Sequence, residues 1–351
     1  MNTATIETKA WIKEYEALRG YIASNEAIKI TSTSMRIPRE LREEFYSRID
    51  RVELSLAKEL AGARLEEARE LAEKLGTVRD RIVENSNLRA YRLPATVENL
   101  IKNPYAAAAR PILSVVMDAL QTGLEPEEIE SRSAQLIFPF IKDVSRSAYE
   151  LWCYLGIIDS WQPRTFYGIA TADAVNFVIT ETDEAVVGSQ FSHVERRLPE
   201  TVVVTADGRT LALKTEVGME LYYYGRKHTK NSGYSSNGNT VDEVAHRALL
   251  AYEFQSPDKV DVLADAAKHF VRPASLICTF LMPYEMENNY QVSSFVERLR
   301  TVRSLRPVQV LTLDEAGQFP EGMTEDEKVP KLERTVVGYD SQKLHEIAAK
   351  I

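Results

Sequence analysis

The stretch from Asp258 to Asp340 constrains the fold most, because its elements alternate in the order helix, strand, helix, strand, strand. Three segments have the apolar, β-branched character of strands: Ala274–Leu281, Pro307–Leu313 and Arg334–Asp340. Between the first two, Val292, Phe295, Val296, Leu299 and Val302 share one face of a predicted helix. This alternation predicts a compact α/β unit, closed by a short helix near 341–350. The unit brings no catalytic residue set with it. The sequence holds no Gly-x-Gly-x-x-Gly, no P-loop and no Gly-x-Ser-x-Gly.

A chain of 351 residues is long enough for two or three domains with a sizeable core. Its net charge of −9 makes the surface as a whole repel nucleic acid and anionic membranes, although a local patch can still bind either. The two cysteines, Cys153 and Cys278, each lie inside an apolar run. Buried free thiols are expected, which suits a reducing compartment. No apolar run approaches the roughly 18 residues of a membrane span. The first residues lack the apolar stretch of a secretory signal. A cytoplasmic location is therefore expected.

The N-terminal half reads as helical. Trp11, Tyr15, Leu18 and Tyr21 repeat at helical spacing, and the polar run at 31–34 breaks that helix. From Pro38 to Leu75, the residues Leu54, Ala61, Leu65, Ala68, Ala72 and Leu75 follow heptad-like spacings of seven, four and three. That seam predicts a long helix ending at Gly76. The helix either lies on its own domain or forms a coiled coil with a neighbouring subunit. Helices are predicted near 96–102, over Ala106–Leu120, and over the strongly apolar Ala134–Ile158, where Gly156 suits a helix end.

The character changes after Trp161. Strands are predicted at 166–170, 174–180, 201–205, 210–215 and 219–224, with Asp207-Gly208 as a tight hairpin turn. A long, exposed hairpin is expected here. Residues 225–239 form a polar loop, and Thr240 to Glu243 make a capping box. The helix it opens is predicted to run through Leu249 and Tyr252. The fold class that results is α+β: a helical N-terminal half, a hairpin-rich segment and a C-terminal α/β unit. The segments are 1–92, 93–160, 161–240 and 241–351.

Candidate chemistry is sparse. Arg226, Lys227 and Lys230, beside aromatic residues, are the one concentrated basic cluster, and such a cluster can contact nucleic acid or another anion. The plainer reading is a solvated loop with scattered charge, or a contact to an acidic neighbouring subunit. His193, His228, His246, His269 and His345 form no metal-ligand pattern, and no Cys-x-x-Cys occurs. Residues 252–256 invite comparison with the acidic strand of a metal-dependent nuclease. Gln255 stands where such a site needs lysine, however, and the segment is predicted to be helical. No cofactor or metal is called for, and no residue is assigned a catalytic role.

The order of elements, from the charged helical region through Gln162–Tyr167, the 201–215 hairpin and the 241–254 helix to the final block, resembles the capsid-protein fold of tailed phages. Encapsulin nanocompartments share that fold. The resemblance implies a self-assembling structural subunit without catalysis, located in a virion if the likeness holds. Self-association would then use the seam of Leu54, Ala61, Leu65, Ala68, Ala72 and Leu75. The alternatives are a nucleic-acid-associated protein acting through 226–230, and a helical adaptor using the 38–75 helix.

Overall fold

A computed structural model describes residues 9–171, 177–186, 199–215, 248–260, 273–282, 304–315 and 331–351. The backbone groups into two compact units, Met1–Gly76 with Ala95–Tyr149, and Thr77–Pro94 with Glu150–Ile351. The first is mainly helical and the second is built on a sheet, so the α+β class holds.

The first unit contains α1 (Ala10–Ser24), a small hairpin of β1 (Lys29–Thr31) and β2 (Ser34–Arg36), and most of α2 (Arg42–Asn85). It continues with α3 (Ala95–Lys102), α4 (Pro104–Ala109), α5 (Leu113–Thr122) and the larger part of α6 (Pro126–Ser160). Pro111 follows α4, so the single helix predicted over 106–120 is divided by a 3-10 turn at Arg110–Ile112. Trp11, Leu18, Phe45, Leu56, Ile112 and Ile137 share one core. Burial of such side chains stabilises by roughly 1.5–3 kcal/mol each.

The alanine-rich seam belongs to that packing. Ala61 and Leu65 lie in the core cluster, with Leu54 partly buried against it. Ala68, Ala72 and Leu75 are at most 1% exposed in the single chain. A neighbouring subunit therefore has no open seam of these residues to pack against. The helix also does not end at Gly76, which is absent from the glycines at positive φ, and runs on to Asn85 with Val78 and Ile82 buried. Its break lies at Ala61 (φ −139°, ψ 20°), next to Gly62.

In the second unit, β3 (Ala90–Arg92) pairs in parallel with β6 (Glu184–Val186). Among the described residues the main sheet has eight strands in the order β12-β11-β10-β9-β8-β7-β4-β5. They are β4 (Pro163–Thr171), β5 (Phe177–Glu181), β7 (Thr201–Thr205), β8 (Thr210–Lys214), β9 (Ala248–Phe254), β10 (Leu276–Leu281), β11 (Val308–Thr312) and β12 (Leu332–Val336). The pairs from β5 through to β10 are antiparallel, while β10, β11 and β12 are parallel. The chain closes with α7 (Ser341–Ala348).

Two expectations change here. The β7–β8 hairpin turns at Gly208 (φ 85°) as its Asp-Gly predicts, but it is no exposed arm. All but one of its strand positions are buried, and both its edges are paired, β7 with β4 and β8 with β9. Residues 248–254, expected to be helical, form strand β9, so the 252–256 helix assignment is also overturned. Their Ala and Leu content suits a helix, but both edges of β9 are paired. A central strand buried on both faces shows no period-two alternation to betray it. The capping box at 240–243, the 219–224 strand and most of the predicted helices at 258–270 and 291–304 fall outside the described residues.

Candidate ligand-binding cleft

The segment 77–94 is built into the second unit by hydrogen bonds. The Asn87 Nδ2 donates to Thr182 O at 2.9 Å and Glu181 Oε1 at 3.1 Å, and its Oδ1 accepts from Phe166 N at 2.8 Å. Tyr91 packs edge-on against Phe166, and Arg89 and Arg92 both reach the Glu184 carboxylate. These contacts fix the end of α2 beside the start of β4.

Three further features complete a cleft there. At the end of α6, Gln162 takes a left-handed conformation (φ 49°), which costs a residue with a side chain on the order of 1 kcal/mol or more. That turn sends the chain directly into Pro163 and β4. The Gln162 carbonyl accepts from Ala206 N at 2.9 Å, which holds the turn in place. From the other side, α7 lies so close to α6 that a Cβ on Gly156 would collide with Leu344 Cδ1. Gly156 therefore lies inside α6 at a close contact and, contrary to what its sequence position suggests, does not end the helix. The indole Nε1 of Trp161 donates to Ala348 O at 3.0 Å and ties down the far end of α7.

The resulting cavity has a volume of about 520 Å³. Arg81 and Asn85 line it from α2, Asp159 and Ser160 from α6, Arg164 from β4, and Ser341 and His345 from α7. Arg81 Nε lies 2.9 Å from Asp159 Oδ2, with the guanidinium half-exposed and the carboxylate mostly covered. Burial holds the Asp159 carboxyl above its ordinary pKa, and the Arg81 charge pulls the other way. The last turn of a helix also disfavours a carboxylate, which Arg81 offsets. Arg164 Nη1 donates to Asn85 O at 3.3 Å. Cationic groups thus outnumber carboxylates along the wall. Such an arrangement attracts anions, and guanidinium groups match the geometry of phosphate or carboxylate oxygens.

Sequence reading assigned no role to Arg81, Asp159 or Arg164, and treated His345 only as one of five histidines. The lining comes from three separated segments, so no local spacing could signal it. The sequence-predicted basic cluster of Arg226, Lys227 and Lys230 lies outside the described residues, as do His193, His228, His246 and His269. Cys153 and Cys278 are buried and free, as expected, with burial holding the Cys278 thiol well above its usual range. Among the described residues no group of three or more His, Cys, Asp or Glu side chains is placed to hold a metal, and no helix is long and apolar enough to cross a membrane.

Comparison with known protein families, curated proteins and solved structures finds no match for this chain.

Proposed function

We propose that the protein is a binding protein for a small anionic ligand, with phosphate-bearing compounds the best fit, and that the cleft of the second unit is its site. The observation that carries this reading is that two guanidinium groups, Arg81 and Arg164, face the single carboxylate of Asp159 on one cavity of about 520 Å³ in a chain of net charge −9. An acidic protein that gathers cations in a concave site focuses its field on anions there. The volume suits a small metabolite and lies in the ordinary range for ligand sites, roughly 300–1,000 Å³.

Isothermal titration with inorganic pyrophosphate at low salt tests the reading. Saturable binding is expected, weakened about tenfold or more by Arg164→Glu, which converts an attraction to the anion into a repulsion. Arg164 donates to a single backbone carbonyl at 3.3 Å, so the variant should keep its fold. Absence of binding by the unaltered protein, or equal binding by the variant, would remove the cleft from consideration.

A second reading is a self-assembling structural subunit without catalysis. What supports it is strand β5, which among the described residues stands at one end of the main sheet, with Val178 exposed at 44%. An edge strand carrying an exposed apolar side chain is a template for pairing with another copy. The mass in solution tests it, as argued below.

A further inference from the structure

The residues that line the cleft divide by exposure. Those that are buried are all apolar: Val78, Trp152, Gly156, Pro163 and Leu344. Those that are exposed are all polar or charged, Arg81, Arg164 and His345 among them. Asp159 and Ser160 are intermediate. The cavity therefore has an apolar floor beneath a charged rim. Resting on the proposed anion-binding reading, we propose that the cleft binds an organic phosphate, its phosphate held at the rim by Arg81 and Arg164 and an apolar, ring-sized body packed on the floor.

An inorganic anion uses only the rim of such a site. The volume of about 520 Å³ falls where cavities enclose whole organic molecules, roughly 300–1,000 Å³. With an inorganic phosphate at the rim, the space over Val78, Trp152, Pro163 and Leu344 is left to water. Those side chains offer that water few hydrogen-bond partners, and displacing poorly held water by an apolar group is favourable. The floor is also ordered in advance. Tyr339 packs edge-on against Trp152, with ring centres 5.9 Å apart, and Leu344 lies hard against Gly156. Side chains already fixed in this way lose little freedom when a ligand settles on them. Charge at one end and apolar surface at the other thus select a ligand that carries both.

Isothermal titration of the full chain compares inorganic phosphate with phenyl phosphate, at one ionic strength and at a pH where both are dianions. The charge offered to the rim is then equal, and the difference reads the body. Phenyl phosphate should bind about tenfold more tightly, as expected for burying part of one ring against apolar surface. Its binding should also show the more negative change in heat capacity. Val78→Thr adds a hydroxyl to the floor at nearly constant size and should cut the ratio of the two affinities about threefold. Arg164→Glu should weaken both probes and leave that ratio standing. Should Val78→Thr fail to fold, the heat-capacity comparison decides in its place. Equal affinities, equal heat-capacity changes, or a ratio untouched by Val78→Thr would overturn the role of the floor while leaving the anion site in place. A protein that binds neither probe overturns both.

Discussion

Glu53 lies on α2 among apolar side chains, only 6% exposed, with its Oε1 buried and lacking a hydrogen-bond partner. Burial, and secondarily the charge of Asp50, push its pKa from 4.5 up to about 7. The sign of the consequence follows from proton counting. Between those two values the folded chain keeps a proton that the unfolded chain has released. Stability from this group is therefore complete below pH 4.5 and is lost as pH rises through 7. Above that point the cost is on the order of 3 kcal/mol. Glu53→Gln cannot ionise. It should be clearly more stable than the parent at pH 8.5 and nearly equal to it at pH 4.5, as read from urea midpoints at the two values. A gain of the same size at both would show that packing, and not ionisation, sets the effect.

At the scale of elements, the contact between α6 and α7 decides whether the cleft exists. Gly156→Ala places a methyl group against Leu344 Cδ1, so the Leu344 side chain, itself fully buried, must take another rotamer or α7 must shift. Overpacking of this kind costs about 1–3 kcal/mol. We expect a lower melting temperature and weaker pyrophosphate binding, since Ser341 and His345 ride on the displaced helix. Adding Leu344→Ala opens the space and should restore part of both, although that substitution alone leaves a cavity. No recovery in the double variant would mean that the close approach is not what Gly156 serves. The same glycine shows what sequence can convey about elements. A glycine in an apolar helix reads equally as a cap or as a close contact, and only the distant Leu344 decides between them. Gly76 misleads in the same way. Asp207-Gly208 was legible because a tight turn is encoded by the two residues that make it. Strand β9 was not, because its neighbours β8 and β10, not its own pattern, make it a strand.

For the whole molecule, long-range order separates what was readable from what was not. The α+β class and most strand positions follow from local composition. The division into units does not, since the second unit takes 77–94 from the middle of the helical half. The cleft shares that origin, drawing on residues near 81, 159, 164 and 345. Self-assembly is likewise a property that local spacing suggested, through a seam the chain uses within its own core. Among the described residues one route is the β5 edge, where two features oppose each other. Val178 is exposed and apolar, while Glu181 places a charge on the same strand, a device that discourages edge pairing. Light scattering on the eluting protein across a wide range of concentration decides between them. Assembly through this edge predicts a multiple of 39.7 kDa that Val178→Glu returns to the single-chain mass. An acidic side chain at that position would meet the same charge on a second copy and would have to be desolvated to pair. A single-chain mass at every concentration would remove self-assembly as the function. An oligomer indifferent to Val178→Glu would place its interface elsewhere than β5.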